Sequence, residues 1–152
     1  CVSALSPGVM ATTGMESAEL IRGAVEIAKP EVVVAIDALA ARNVERINTT
    51  IQISDTGISP GAGTGNMRKD LTEKSLGTRV IAIGVPTVID ASTLILDSLD
   101  GYLTNPAAAE EHLRKKGGPM IVTTSDIDRV VEDFSQIIGD AVNIVLHPGI
   151  YS

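Results

Sequence analysis

The apolar residues of this chain form runs of two kinds, continuous and alternating. Each kind predicts a β-strand with a different degree of burial. Residues 32–36 and 79–85 are nearly continuous apolar runs rich in valine and isoleucine, which is typical of strands buried on both faces of a parallel sheet. Residues 47–53 place isoleucine or threonine at alternate positions and predict a half-buried strand. Residues 120–122 are interpreted as a short strand or an extended connection.

In the segments between these strands, apolar residues recur with the spacing of an α-helix. It predicts helices over residues 13–29, 87–99, 107–116 and 125–146, and single helical turns within 38–46 and 71–76. Thr13 with Glu16, and Ser125 with Asp128, have the spacing of a capping box at the start of the first and last helix. Because strands alternate with helices, the predicted fold class is α/β, with a mainly parallel sheet flanked by helices.

Composition and charge narrow the class of protein. The 152 residues are 44% hydrophobic, which suits one globular domain with a real core. Twelve basic and nineteen acidic residues give a net charge of −7, so direct nucleic-acid binding is not expected. No apolar run approaches the roughly 20 residues that a membrane helix needs. The composition therefore predicts a globular domain that acts neither on nucleic acid nor in a membrane.

The start of the chain predicts a larger parent domain. Cys1 is the single cysteine, so an internal disulfide is excluded and nothing in the cysteine content suggests secretion. No signal peptide is recognised. The first five residues lack an initiator Met and look like the end of a strand. We therefore expect the chain to begin inside a domain that continues before it.

Three carboxylates stand where a site is expected. Asp37 follows the predicted strand 32–36, and ligands of open α/β sheets bind at the carboxyl ends of strands. A helix cap or an ion pair with Arg42 or Arg46 explains Asp37 equally well. Asp55 begins an Asp-Thr-Gly triplet, but an aspartic protease needs two carboxylates on an all-β fold, so a turn is favoured. Asp90 follows the third strand and is predicted to cap the next helix.

Glycines and histidines give weaker signals. Residues 57–66 form a loop by composition, and the spacing of Gly61, Gly63 and Gly65 fits neither a dinucleotide fingerprint nor a phosphate-binding loop. The backbone of this loop is predicted to approach a peptide or another subunit closely. His112 and His147 lie too far apart for a metal motif. No metal or cofactor site is predicted.

The chain resembles the germination proteases of spore-forming bacteria along essentially its whole length. The segments that carry the resemblance are Pro-Gly-Val-Met and Thr-Gly-Met-Glu near the start, Ala-Ile-Asp-Ala-Leu-Ala-Ala-Arg at 35–42, Thr-Ile-Gln-Ile-Ser-Asp-Thr-Gly-Ile at 50–58, the glycine loop at 60–66, Ile-Ala-Ile-Gly-Val-Pro-Thr-Val-Ile-Asp-Ala at 81–91 and Leu-His-Pro-Gly at 146–149. The resemblance implies an endopeptidase, made as a zymogen, that degrades small acid-soluble spore proteins during germination. It also implies a homo-oligomer (a tetramer), a location in the cytoplasm of the spore core, and a three-layer fold similar to the hydrogenase maturation proteases.

The same resemblance implies chemistry based on two aspartates. Asp37, within Ala-Ile-Asp-Ala-Leu, matches one of them, with Asp55, Arg42 and Asp90 as possible supporting residues. The second aspartate belongs to a motif of the amino-terminal half that nothing here matches. Residues 1–152 therefore resemble the carboxyl-terminal part of the protease domain, and we expect the chain to be inert by itself and prone to self-association through exposed sheet edges.

Two alternatives stay open. The first is a non-catalytic assembly or interaction domain, in which the glycine loop and the helices hold subunits together. The second is a metal-binding protease of the maturation type, with oxygen and imidazole ligands, although no credible trio of ligands is found in the sequence.

Overall fold

The helices and strands alternate for most of the chain. The computed structural model describes residues 1–8, 13, 15–60, 69–116, 118 and 120–149. In chain order the elements are α1 (Ser17–Ala28), β1 (Val32–Ala41), β2 (Gln52–Ser54), α2 (Glu73–Leu76), β3 (Arg79–Asp90), α3 (Ala91–Ser98), α4 (Pro106–Lys116), β4 (Ile121–Val122) and α5 (Ile127–Leu146), with a 3₁₀ turn at Val44–Arg46. Residues 7–123 form one unit, and residues 1–6 with 124–152 form another.

The sheet of the larger unit is organised around β3. Strand β1 pairs with β3 in parallel, from Val32 opposite Arg79 to Ala41 opposite Ile89. Strands β2 and β4 both pair with β3 in the antiparallel sense. Over the described residues the protein is thus α/β with a mixed sheet flanked by helices. A mainly parallel sheet is not confirmed.

Strands β1 and β3 are both longer than the sequence predicts. The predicted end of β1 after residue 36 is wrong, because the strand continues to Ala41. Likewise β3 continues to Asp90, so the helix predicted from residue 87 begins only at Ala91. Alanine and leucine have no strong preference for strands, but pairing along an extended partner outweighs local propensity. Pro86 is tolerated because the register shifts beside it, where a proline disrupts the ladder least.

The ends of several other elements also differ from their predictions. The strand predicted at 47–53 is reduced to Gln52–Ser54, since residues 47–49 form a turn after the 3₁₀ segment. Helix α1 starts at Ser17 and α5 starts at Ile127, so neither Thr13 nor Ser125 is the N-cap of its helix and the two predicted capping boxes are wrong. The predicted turn at 71–76 is confirmed as α2, which ends at Gly77 in the left-handed conformation. The helices predicted at 107–116 and 125–146 are confirmed as α4 and α5.

The two faces of the sheet have different surroundings. On what we call the closed face, Val80 and Ala82 of β3 are buried in a cluster with residues of α1, α2 and the segments between, and Val33, Ala35 and Leu39 of β1 pack against that cluster. On the other side, which we call the open face, stand Val32, Val34, Ile36, Ile53, Ile81 and Ile83. Side chains of β1 alternate between exposed and half-buried, so the expectation that this strand is buried on both faces is wrong.

The smaller unit contains α5. Its apolar residues repeat with helical spacing, and Ile138 among them is buried. Among the described residues, no helix has both the length and the apolar character needed to cross a membrane.

Candidate functional site

Asp37 lies in the middle of β1, on the closed face. The alternation of a strand places it on the same side as Ala35 and Leu39, and its side chain is half-buried. The prediction that Asp37 stands at the carboxyl end of the strand is therefore wrong, since four more residues of β1 follow it. A carboxylate set between aliphatic neighbours on a paired strand has a fixed position, which a general acid–base group requires.

Gly84 is the in-register neighbour of Asp37 on β3, and Gln52 follows on β2. A side chain at position 84 has no room: an added Cβ would stand 2.2 Å from Leu39 Cδ1 and 2.6 Å from Leu39 Cγ. The leucine therefore lies over the glycine, directly beside the row that contains Asp37. This packing holds the backbone around the carboxylate, and a glycine inside an apolar strand is the sequence signal for such a close approach.

Asp55 lies in the turn that follows β2. It is exposed, and the Ser54 and Thr56 hydroxyls on either side of it are 2.6 Å apart. Gly57 has a φ of +91°, and a Cβ there would stand 2.2 Å from the Leu71 carbonyl oxygen. The Asp-Thr-Gly triplet is thus a turn whose glycine is required by the backbone, as the sequence predicts.

Asp90 caps a helix, as predicted. Its Oδ1 accepts hydrogen bonds from the backbone N–H groups of Ser92 and Thr93, at 2.9 and 3.1 Å. A carboxylate in this position satisfies two unpaired donors at the start of α3. Asp90 therefore has a structural explanation that is independent of catalysis.

Arg42 is exposed just beyond β1 and lines a groove of about 470 Å³ beside α3 and α4. Asp97 and Glu110 also line this groove, and Asp97 Oδ2 accepts a hydrogen bond of 2.7 Å from the backbone N–H of Val44. An adjoining hollow of about 380 Å³ contains Asp90. Sequence reasoning misses Asp97, because its partner lies 53 residues away in the chain and no local pattern links them.

The structure does not bring the four candidate residues into one site. Asp90 lies six residues beyond Gly84, the partner of Asp37 on β3, which is roughly 20 Å along the strand. Asp55 lies two strands across and about three rows back, roughly 14 Å from Asp37. Two carboxylates that share a proton stand about 3 Å apart. Neither aspartate can therefore pair with Asp37 in this arrangement.

Residues 61–68, which contain Gly61, Gly63 and Gly65 of the predicted glycine loop, lie outside the described residues. Just beyond them, the backbone N–H of Lys69 donates to Glu16 Oε1 at 2.9 Å, and the Lys69 ammonium pairs with Glu19. The hydrogen bond from the Lys69 ammonium to the Glu19 carboxylate, together with the Arg22 charge, holds the pKa of Glu19 below its usual value. The carboxylates of Glu16, at the N-cap of α1, and of Glu19, in its first turn, thus anchor the chain at Lys69.

The part of the chain that the structure describes contains no cluster of three side chains suited to bind a metal ion. His112 and His147 lie in α4 and directly after α5 respectively, in different units. No set of ligands for the metal-binding alternative can be assembled from these residues.

Comparison with known proteins assigns the family. The family model described as germination protease matches residues 1–110, which include β1, β2, β3 and Asp37. The chain belongs to the germination protease family. The resemblance seen in the sequence motifs is thereby confirmed.

Curated germination proteases give the extent of the likeness. The protein from Clostridium acetobutylicum is 42% identical over 98% of this chain and 53% of its own length. That from Clostridium perfringens is 45% identical over 97% of this chain and 52% of its own length. The Bacillus subtilis germination protease is 64% identical over 67% of this chain and 28% of its own length. The chain thus spans about half the length of the clostridial relatives it matches.

Proposed function

We propose that this chain supplies one aspartate, Asp37, of the catalytic pair of a germination protease, an endopeptidase that hydrolyses small acid-soluble spore proteins during germination. The observation that carries the proposal is the position of Asp37: half-buried on β1, which pairs in parallel with β3, inside the region that the family model matches. Asp55 and Asp90 are explained by a turn and a helix cap.

The proposed chemistry activates water with two carboxyl groups. One is ionised and takes a proton from the attacking water, while the other is protonated and donates a hydrogen bond to the scissile carbonyl oxygen. Asp37 is one member of the pair. The family resemblance implies that the second carboxylate belongs to the amino-terminal half of the polypeptide, outside these 152 residues, and Asp55 and Asp90 are too distant to take its place. The chain alone is then inert, since one carboxylate cannot hold both protonation states.

The wider setting follows the family resemblance. We infer a zymogen that is processed in the developing spore, a tetramer, and action within the cytoplasm of the spore core. The fold of the complete family domain is proposed to be three-layered and similar to that of the hydrogenase maturation proteases. The parallel pair of β1 and β3, with helices beside it, is compatible with that fold.

The experiment uses a complete enzyme in which these 152 residues replace the matched region of the Clostridium acetobutylicum germination protease. A purified small acid-soluble spore protein is the substrate, and peptide products are measured by mass spectrometry. We expect Asp37→Asn to lower turnover by at least about 10⁴-fold, because asparagine can neither accept nor donate the proton. The 152-residue chain alone should release no products.

Asp55→Asn is the matched control, since it removes the same charge from an exposed turn. It should keep turnover within about threefold of the parent chimaera, as expected of a surface change that leaves the site intact. Near-normal turnover of the Asp37→Asn chimaera, with an unchanged unfolding midpoint, would mean that Asp37 is structural. Cleavage by the isolated chain would show instead that both catalytic groups lie within these residues.

A further inference from the structure

The connection between α3 and α4 contains an aspartate that is followed directly by a glycine, Asp100 and Gly101. In this sequence no other aspartate precedes a glycine, and no asparagine does. A backbone amide attacks the preceding side-chain carboxyl group most readily in an Asp-Gly pair, because glycine places no side chain beside the attacking nitrogen and restricts the backbone least. The sequence therefore singles out residue 100 as the position where the chain can react with itself.

The structure places the two reacting groups side by side. The backbone N–H of Gly101 donates a hydrogen bond of 3.0 Å to Asp100 Oδ1, so the amide nitrogen lies next to the carboxyl group. The Leu99 carbonyl oxygen accepts a hydrogen bond of 3.0 Å from the Tyr102 N–H, which makes Asp100 and Gly101 the central residues of a turn. Groups that are held in contact react faster than groups that must first meet.

The turn is open to water, which the reaction needs. Asp100 and Gly101 are exposed, and the neighbouring Tyr102 is 86% exposed. Among the described residues Asp100 forms no ion pair, so no cation holds its carboxyl group away from the amide. No described atom lies within 4 Å of a Cβ built at Gly101, so the space beside the attacking nitrogen is empty of protein. The backbone can therefore rotate into the reactive arrangement without displacing a neighbour.

We propose that Asp100 and Gly101 form a site of isoaspartate formation. The Gly101 nitrogen attacks Cγ of the protonated Asp100 carboxyl group, and the new N–Cγ bond closes a succinimide ring while the carboxyl hydroxyl and the amide proton leave together as water. Another water molecule then opens the ring. Its addition at the backbone carbonyl carbon gives isoaspartate, and its addition at Cγ restores aspartate. Water is the only co-reactant, and nothing is oxidised or reduced.

Isoaspartate changes the groove beside α3 and α4. Asp100 lines this groove together with Arg42, Asp97 and Glu110. In isoaspartate the main chain runs through Cβ and Cγ, so the connection between the two helices gains one methylene group and the carboxylate moves onto Cα. The modification therefore alters both the length of the connection and the position of one charge in the groove. It does not depend on the catalytic role of Asp37.

The test follows isoaspartate in the full 152-residue chain during incubation in neutral buffer. Protein isoaspartyl methyltransferase with labelled S-adenosylmethionine measures the amount of isoaspartate, and peptide mapping by mass spectrometry locates it. A synthetic peptide with the sequence of residues 98–104 is incubated alongside and gives the rate of the same pair without the turn. We expect isoaspartate to accumulate at Asp100 of the folded chain during the time in which half of the peptide is converted.

Two variants and an internal control separate the site from its surroundings. Gly101→Ala should slow the reaction by roughly tenfold, because the added methyl group restricts the backbone rotation that brings the nitrogen to the carboxyl carbon. Asp100→Glu should lose the signal at residue 100, since its longer side chain would have to close a larger ring. Asp55 is the internal control: it is also exposed in a turn, but Thr56 follows it, and the same map should show no isoaspartate there.

Three results would overturn the proposal. One is the absence of isoaspartate at Asp100 of the folded chain once half of the peptide is converted, which would mean that the turn protects the pair. Another is equal accumulation at Asp55 and Asp100. The third is a Gly101→Ala chain that reacts as fast as the parent. Thermal unfolding midpoints of the parent and of both variants are measured first, and the incubation is kept below all of them, so that each rate belongs to a folded chain.

Discussion

The two faces of one pair of strands have similar apolar residues and very different environments. On the closed face Val80 is 2% exposed and lies under α1 and α2, whereas on the open face Ile53 is 71% exposed. Hydrophobic pattern therefore indicates which residues favour burial, and it does not indicate whether this chain supplies the layer that buries them. Asp37 lies on the closed face, so the candidate carboxylate is positioned by packing already present in these residues.

The comparison is tested most strongly by removing one large side chain from each face. Leu76 of α2 is 8% exposed in the cluster on the closed face, and Leu76→Ala should lower the free energy of unfolding by about 2–5 kcal/mol, through lost burial and the cavity left behind. Ile53→Ala on the open face should change it by less than about 0.5 kcal/mol. Urea unfolding followed by circular dichroism measures both.

The difference between the two losses of unfolding free energy shows whether the two faces are packed to different extents. Similar losses of about 2 kcal/mol or more in both variants would mean that the open face is covered within this chain. The slope of the unfolding curve must stay constant for this interpretation, because a changed slope indicates a change in the states compared.

A second change acts on the closed face at the row that contains Asp37. Gly84→Ala places a Cβ against Leu39, and the overpacking should lower the free energy of unfolding by about 1–3 kcal/mol. Leu39→Ala in the same chain should recover part of this loss, which a double-mutant cycle quantifies.

Gly23→Ala in α1 is the matched control for that change. No atom lies within 4 Å of its added Cβ, so the substitution should stabilise the chain by up to about 1 kcal/mol through helix propensity. Equal effects at Gly84 and Gly23 would show that Leu39 moves aside freely and does not hold the backbone near Asp37.

The sequence predicts the presence of elements better than their ends. The apolar run at 32–36 locates β1, but the strand ends only at Ala41, because pairing with β3 overrides the weak local preference of alanine and leucine. The sequence predicts a helix from residue 87 onward, but residues 87–90 belong to β3, because Val88 and Ile89 pair with β1. Tertiary pairing of this kind leaves no signature in a local window.

The candidate site is predicted unevenly for related reasons. Asp90 is correctly predicted as a cap because a cap is a local pattern, and the Asp-Thr-Gly turn is correctly predicted because its glycine is local too. The sequence argument for Asp37 places it at the end of a strand, whereas in the structure it lies in the interior of β1. The bond between Asp97 and Val44 depends on distant segments meeting, so no local reasoning reveals it.

A third prediction concerns the carboxyl end of β3, beyond either face. Asp90→Ala removes the acceptor for the Ser92 and Thr93 amides and should lower the free energy of unfolding by about 1 kcal/mol. Asp90→Asn should cost only a few tenths, since asparagine is also a good N-cap. Thermal unfolding of both variants measures the difference. A loss of catalysis in the Asp90→Asn chimaera, without a loss of stability, would instead give Asp90 a chemical role.

The smallest expected effect is a pH dependence at the edge of the closed face, where Glu19 of α1 meets Lys69. The hydrogen bond from Lys69 and the charge of Arg22 lower the pKa of Glu19 in the folded chain. A lowered folded-state pKa contributes stability that is present above the unfolded value, near 4.5, and is lost as the pH falls through the folded value. Lys69→Gln should therefore make the unfolding midpoint less sensitive to acid below that pH.

Lys74→Gln is the control, because it removes one lysine charge that forms no ion pair among the described residues. Urea midpoints measured from about pH 6 to pH 3 should fall less steeply for Lys69→Gln than for Lys74→Gln or the parent chain. Because the ion pair is solvent-exposed, salt should shrink the difference. Identical pH profiles for the two variants would mean that the contact between Lys69 and Glu19 does not help to hold the end of the loop against α1.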